Sequence, residues 1–437
     1  MQRNAFTKTG LLSAAVYAGL LSIAPMKSNA VNVDWSGVYR VEWTEVDKTS
    51  LDDPKLRKSY ILNSLQLSPK IHAADGIDIA AKFNVLQNPA YPDDPTGQPF
   101  GAGPSKAASN GASSTGNDSA VASERHRSYS LQVSQLYLTI NQPYGSILIG
   151  RAPLQFGLGI THNAGNGLFD HWQDTYDLVS YKFIIGNFSM MPILAKSYDY
   201  SVAQGREVSD LIWNLDYNNP DTESQIGVFH QTRTSSLESN DIPYSLYGGT
   251  GIQGGSSIQQ VGLYLSRGFE PVKIKFEAEF QSGNTGVVRD GEDVKANGYG
   301  MVLDLDFPRP ESKFAWNVKL GLVSGDNPET KNYEGFALDR NFDVAMLMFN
   351  HPMGKYDLFR TGVQRSPNRL TCTTSPCGTY ATDEALDEEA ISNVLFVAPK
   401  VNYKFAEKWD WQNRFTWAQL QNKPVSGEDV SKDVGFE

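Results

Sequence analysis

The densest run of side chains able to do chemistry is Thr161-His162-Asn163-Ala164-Gly165-Asn166-Gly167-Leu168-Phe169-Asp170-His171-Trp172-Gln173-Asp174-Thr175-Tyr176-Asp177. Its histidines and carboxylates are the residue types that hold metals or move protons, so His162, Asp170, His171, Asp174 and Asp177 compose the one candidate centre. Spacing alone fixes neither geometry nor pKa, and it does not match an EF-hand loop. The favoured reading is a loop folded over or into a channel mouth, its acids paired with wall arginines. Gly157-Leu158-Gly159 lacks the strand-to-helix context of a nucleotide cradle, and no Walker, H-E-x-x-H or G-x-S-x-G pattern appears. Neither an enzyme nor a bound cofactor or metal is expected. Cys372 and Cys377 lie in Cys-Thr-Thr-Ser-Pro-Cys among turn formers, which in an exported chain reads as a disulfide stapling a loop.

These residues sit in a chain built for export. Lys8, the apolar stretch Leu11–Ile23 and Ser28-Asn29-Ala30 have the order of a secretion signal over residues 1–30. The rest, 31–437, reads as one domain. No later apolar run approaches the roughly 20 residues a helical span needs. With 40% hydrophobic and 20% charged residues, a net charge of -11 and a mean hydropathy of -0.38, the composition suits a soluble protein or a barrel whose strands have one apolar face. The acidic balance offers nucleic acid no footprint.

Periodicity decides between the two. Val272, Ile274, Phe276, Ala278 and Phe280 alternate with Lys273, Lys275, Glu277, Glu279 and Gln281; Tyr299, Met301, Leu303, Leu305 and Phe307 share a face opposite Asp304 and Asp306. Similar segments fall at 35–46, 58–71, 77–87, 129–141, 146–158, 177–186, 188–199, 209–218, 225–232, 257–267, 272–282, 298–307, 313–323, 391–404 and 409–421. Their lengths cluster near the 9–11 residues of a tilted membrane-crossing strand. Short connections alternate with long ones at 88–128, 159–176, 233–256, 283–297 and 324–390, as periplasmic turns alternate with external loops. The expectation is an all-β, antiparallel transmembrane barrel of about 16 strands, possibly 18, with the segment after Asp433 as an incomplete final strand. Phe342–Phe349 is read either as part of a further strand or as loop packed into the lumen.

Alternation also predicts what faces water. Taking Leu148, Ala152, Leu154, Phe156 and Leu158 as the lipid side turns Arg151 and Gln155 inward, with Arg40, Glu42, Lys82, Lys273, Lys275, Glu277, Glu279, Asp304, Asp306, Lys319, Lys400, Lys404 and Arg414 inward by the same parity. Both signs are present. The loops after Gly159 and Leu322 are expected to fold in and narrow the lumen, with Arg151, Gln155 and Arg340 set against Asp170, Asp174, Asp177, Asp339 and Asp343. Trp35, Tyr39, Trp43, Tyr217, Trp316, Tyr403, Trp409 and Trp411 are placed as interfacial anchors.

On these features the chain resembles the porin-like outer-membrane proteins of Gram-negative bacteria. More narrowly, Gly150-Arg151-Ala152-Pro153-Leu154-Gln155-Phe156-Gly157-Leu158-Gly159, the Gly-Asn-Gly at 165–167 and Gly335–Asp343 look like segments of large barrels of predatory Bdellovibrio-type bacteria. The resemblance implies an outer-membrane location, lipid and lipopolysaccharide as neighbours, and passive diffusion of small hydrophilic solutes; it carries no catalytic residues. The alternative is a plugged barrel displaying 88–128 and 324–390 for surface contacts. The oligomeric state is left open.

Overall fold

The computed structural model describes residues 32–47, 57–85, 98–99, 131–167, 170–201, 206–236, 255–289, 292–307, 312–327, 330–345, 348–349, 390–423 and 432–437. Residues 1–30, expected to be a secretion signal, most of 88–128 and 324–390, and Cys372 and Cys377, expected to form a disulfide, lie outside them.

Apolar residues at every second position form extended strands because only a pleated ladder sorts such a sequence into two faces. The strands are β1 (Asn32–Asp47), β2 (Arg57–Ala74), β3 (Ile77–Val85), β4 (Gln98–Pro99), β5 (Leu131–Gln142), β6 (Gly145–Pro153), β7 (Thr175–Ile185), β8 (Phe188–Ser201) and β9 (Arg206–Asn219). They continue as β10 (Ser224–Ser235), β11 (Ser257–Phe269), β12 (Val272–Arg289), β13 (Glu292–Phe307), β14 (Phe314–Val323), β15 (Val394–Ala406), β16 (Trp409–Arg414), β17 (Trp417–Leu420) and β18 (Asp433–Phe436). Among the described residues every ladder is antiparallel, and successive strands pair except where β3 pairs with β5, β4 with β2 and β17 with β15. The two residues of β4 pair with β2 above the end of β3. β16 and β17 both pair with β15, making one strand interrupted at Phe415 and Thr416. Among the described residues the eighteen elements therefore make sixteen staves of an antiparallel β-barrel.

The outward face is apolar and exposed. Val179, Leu194 and Leu211 lie side by side across β7, β8 and β9, and Val228 and Leu263 continue the band on β10 and β11. Near the short-turn end, Phe188 packs on Tyr217 and Phe314 on Tyr403, with ring centroids 4.7 and 4.6 Å apart. An uncovered apolar belt edged by aromatics is the surface a bilayer stabilises, since a charge at its midplane would cost about 2–4 kcal/mol.

Three expectations about elements change. Residues 283–297 are not a loop: β12 and β13 run on as a long hairpin whose ladder absorbs Gly-Asn-Thr-Gly as a bulge between Asn284 and Val288. The strand expected over 146–158 stops at Pro153, where proline has no N–H to extend the ladder. Phe342, Val344, Ala345, Met348 and Phe349 are buried inside the barrel as loop, not strand.

Candidate functional site

Beyond Pro153 the chain turns into the barrel rather than out over it. Leu154 and Phe156 pack with Ala152, Leu178, Ile193, Ile212 and Phe229 in an apolar cluster on the inner wall. Gly157 takes φ +50°, and a Cβ there would lie 2.7 Å from Glu277 Cδ and 2.9 Å from Tyr264 Cδ2, so glycine lets the backbone run against β11 and β12. The Leu158 N–H donates to Glu277, while the Gly159 N–H donates to Phe156 O at 2.8 Å and closes the turn. The loop then returns to the opposite wall. There Lys82 Nζ on β3 donates to Gly165 O at 3.2 Å, Arg40 Nη1 on β1 donates to Asp170 O at 3.1 Å, and His171 Nε2 meets Glu42 at 2.9 Å. Walls as far apart in sequence as β1 and β12 thus hold one crossing loop, 154–174.

A second loop, 324–349, enters from β14 and lies on the first. Asp339 N–H donates to Ile160 O at 2.7 Å. The Asn341 amide brackets Trp172, accepting from its N–H at 2.9 Å and donating to its carbonyl at 2.8 Å. Arg340 stacks over the Trp172 ring at 4.2 Å, a cation–π contact. Phe336, Leu338, Phe342 and Val344 join Ile160 in a second buried cluster against β13–β17.

Between the clusters is a cavity of about 500 Å³ lined by His162, Trp172, Asp174, Tyr176, Arg233 and Asp339 among others. Burial, then the nearby Arg233 charge, pushes His162 down to about 3, so its ring is neutral at pH 7. Thr161 Oγ1 lies 3.1 Å from its Nδ1. The Asp174 and Asp339 carboxyls share a hydrogen bond, which needs a proton on one of them. Burial raises Asp174 to about 6 against the opposing pull of the Asn163 N–H; burial and then the Asp174 charge raise Asp339 to about 8. Arg233 donates Nε to Asp210 at 2.8 Å and Nη2 to Tyr176 Oη at 3.3 Å, while Gln231 donates to Asp210 at 2.7 Å. The arrangement can hold solutes and protons. Among the described residues no cluster of three metal-ligating side chains occurs.

The structure brings Asp174, Asp339 and Arg340 together. Asp170 and Asp343 instead stabilise their own turns, accepting from Gly167 N–H at 2.6 Å and Ala345 N–H at 2.9 Å. Gln155 accepts from Ala164 N–H at 2.9 Å, within its own loop. Arg151 and Asp177 require a correction. They pair at 2.8 Å, but on the outward face: Arg151 lies opposite Leu136 and Asp177 on adjoining strands, and Asp177 alternates with buried Tyr176 and Leu178 beside exposed Val179. Arg151 reaches the cavity only at the edge of the wall. The inward set of this stretch is Leu148, Ala152, Leu154 and Phe156, the residues expected to face lipid. Apolar character marked the wrong side because a loop fills the inside. Arg233 and Asp210 were missed as a pair; carrying the alternation of Phe229 and Gln231 one step further reaches Arg233.

No protein-family model matches the chain, and no curated protein matches it. Among solved structures it is similar to the outer membrane channel DcaP of Acinetobacter baumannii, at 12% identity and TM-score 0.46 over 95% of this chain and 97% of that one. It is similar to OpdK of Pseudomonas aeruginosa, solved with vanillate, at 9% identity and TM-score 0.46 over 89% and 83% of the two chains. OmpT of Vibrio cholerae matches at 8% identity and TM-score 0.41 over 90% of each chain. Likenesses this distant carry no residue roles or solutes to this chain. None of the three comes from a predatory Bdellovibrio-type bacterium, so the narrower resemblance of 150–159 and 335–343 has no support among them.

Proposed function

We propose that the chain is a porin-type channel of the Gram-negative outer membrane through which small hydrophilic solutes diffuse. The observation that carries the reading is a barrel with an apolar outer belt and, inside it, two cavities with charged side chains in their walls. One, of about 500 Å³, lies beside the crossing loop; the other, also about 500 Å³, is lined by Lys275, Asp306, Asn317, Lys400 and neighbours in the short-turn half. In this reading the narrowest region is where loops 154–174 and 324–349 meet, with Asp174, Asp339 and Arg340 in contact with passing solute. Outside, Arg151–Asp177 and Lys196–Glu207 form ion pairs beyond the apolar belt, at the level of lipid and lipopolysaccharide headgroups. Full-length chain in planar bilayers gives stepwise conductance if the reading is right. A folded but silent barrel refutes it.

A second reading, a plugged barrel that displays its loops, is favoured by one specific observation. The two apolar clusters pack loop side chains such as Phe156, Phe336 and Phe349 into the lumen. It predicts silence in bilayers with loops accessible to added protease.

A further inference from the structure

The chain carries a net charge of -11, yet the structure gathers cations on one stretch of inner wall. On β12–β16 the inward rows run side by side: Lys275 stands opposite Asp304, Asp304 opposite Lys319, Asn317 opposite Lys400, and Lys400 opposite Arg414. With Lys273 these side chains line the lower cavity, whose only carboxylates among the described residues are Asp304 and Asp306. Both carboxylates are already engaged. Lys275 donates to Asp306 at 2.7 Å, and the Asn317 amide reaches Asp304 and Asp306 at 2.5 Å.

What remains is an unbalanced group of cations. Among the described residues no acid lies within ion-pair distance of Lys319, Lys400 or Arg414; Lys319 sits 4.9 Å over the Phe342 ring, and Arg414 reaches only the Asp343 carbonyl at 3.5 Å. Lys400 and Arg414 are directly opposed like charges, an arrangement that a sheet tolerates at a cost and that an anion between them relieves. The wall made by β1–β3 differs. There Lys70 and His72 are both held by Asp78, at 3.1 and 2.6 Å, and Asp34 adds a further contact to His72.

We propose that the Lys319–Lys400–Arg414 strip is a binding site for small carboxylate- or phosphate-bearing anions on the periplasmic side of the crossing loops. This deepens the channel reading and rests on it for the route by which solutes arrive. A guanidinium fork beside two ammonium groups suits a multi-oxygen anion, with the amide of Asn402 as a further donor in the same cavity.

Two measurements separate the site from the channel. Citrate, as probe, is titrated calorimetrically at low salt into the full chain refolded in neutral detergent. Saturable heat is expected, with affinity falling about tenfold in Lys400→Gln/Arg414→Gln, as charged contacts of this kind allow. Equal binding by the two proteins overturns the proposal. In bilayers under a KCl gradient, wild type should show an anion-preferring reversal potential that the double variant moves toward zero, while Lys182→Gln on β7, which is outside the lining of this cavity, leaves it in place. A cation preference in the wild type, or an unmoved potential in the double variant, also overturns it. Silent bilayers together with citrate binding lost in the double variant would refute the channel and leave the anion site standing.

Discussion

Two arginine–aspartate pairs in this barrel have nearly the same geometry and opposite surroundings. Arg151 and Asp177 meet at 2.8 Å on the outer wall with side chains 48% and 54% exposed. Arg233 and Asp210 also meet at 2.8 Å, but inside, where the Asp210 side chain has no exposure and Tyr176, Ser197 and Gln231 complete the network. Bond length therefore says little about what a pair does. An exposed pair gains modestly from Coulomb attraction and is screened by salt, whereas breaking a buried pair strands a charge that water cannot reach.

The comparison breaks most visibly at Asp210. Arg233→Ala leaves the fully buried Asp210 carboxylate without its guanidinium, and the expected loss is about 3–5 kcal/mol in urea unfolding from liposomes. A loss under about 1 kcal/mol, the range of surface pairs, would mean that the inner pair is as wet as the outer one.

Glu277 is the next test, because it holds the crossing loop from the inner side as Asp210 holds the wall. Glu277→Ala removes the acceptor for the Leu158 N–H, and a buried donor left unsatisfied costs about 1–3 kcal/mol. The expected result is a loosened loop, seen as larger and noisier conductance and as protease cleavage near Gly165. Unchanged currents and an intact loop would show that the other anchors, Lys82, Arg40 and Glu42, suffice without it.

A smaller effect follows from the proton shared where the two loops touch. Both carboxyls are raised above their ordinary values, Asp174 to about 6 and Asp339 to about 8. A raised acid contributes stability that is complete below the unfolded carboxyl pKa, about 4, and is lost as pH rises through the folded values. Between pH 5 and 9 the contact should therefore weaken, first near 6 and then near 8, with Trp172 exposure to an added quencher rising along with it. Asp339→Asn keeps a hydrogen-bond donor beside Asp174 and removes the upper step; its persistence in that variant would assign the transition to another group.

Much of this architecture was legible because strand alternation is a property of neighbouring residues. Val272–Gln281 sorted correctly into apolar and polar faces, and Glu277 was placed inward from the sequence. Alternation does not say which face is the outside when both are apolar. Around Ala152, Leu154 and Phe156 the inside is as greasy as the outside, since the chain's own loop occupies it, and the parity there came out inverted. The Asp174–Asp339 contact was half visible. Both acids were named as part of a constriction, but residues 165 apart in the chain meet only through two loops that fold inward, and a partner arginine was the more natural expectation for either.

The smallest expected effect completes the comparison from its other side. With Arg151 taken as a lumen residue, Arg151→Ala should alter conductance more than unfolding. In the structure, Arg151 instead points outward with Ile149, and its main partner is Asp177, so truncation removes an exposed pair worth about 0–1 kcal/mol and leaves Asp177 in contact with water or headgroups. Conductance and reversal potential should stay at wild-type values, because the inward residues of the same stretch, Ala152, Leu154 and Phe156, are untouched. What should change is the surroundings: the variant is expected to fold more slowly, or to a lower yield, in membranes containing lipopolysaccharide than in neutral lipid, relative to wild type, since Arg151 is a cation at headgroup level. A clear change in single-channel conductance would return Arg151 to the lumen. It would also show that the edge of the cavity, where Arg151 touches it beside Ser134, lies on the solute path.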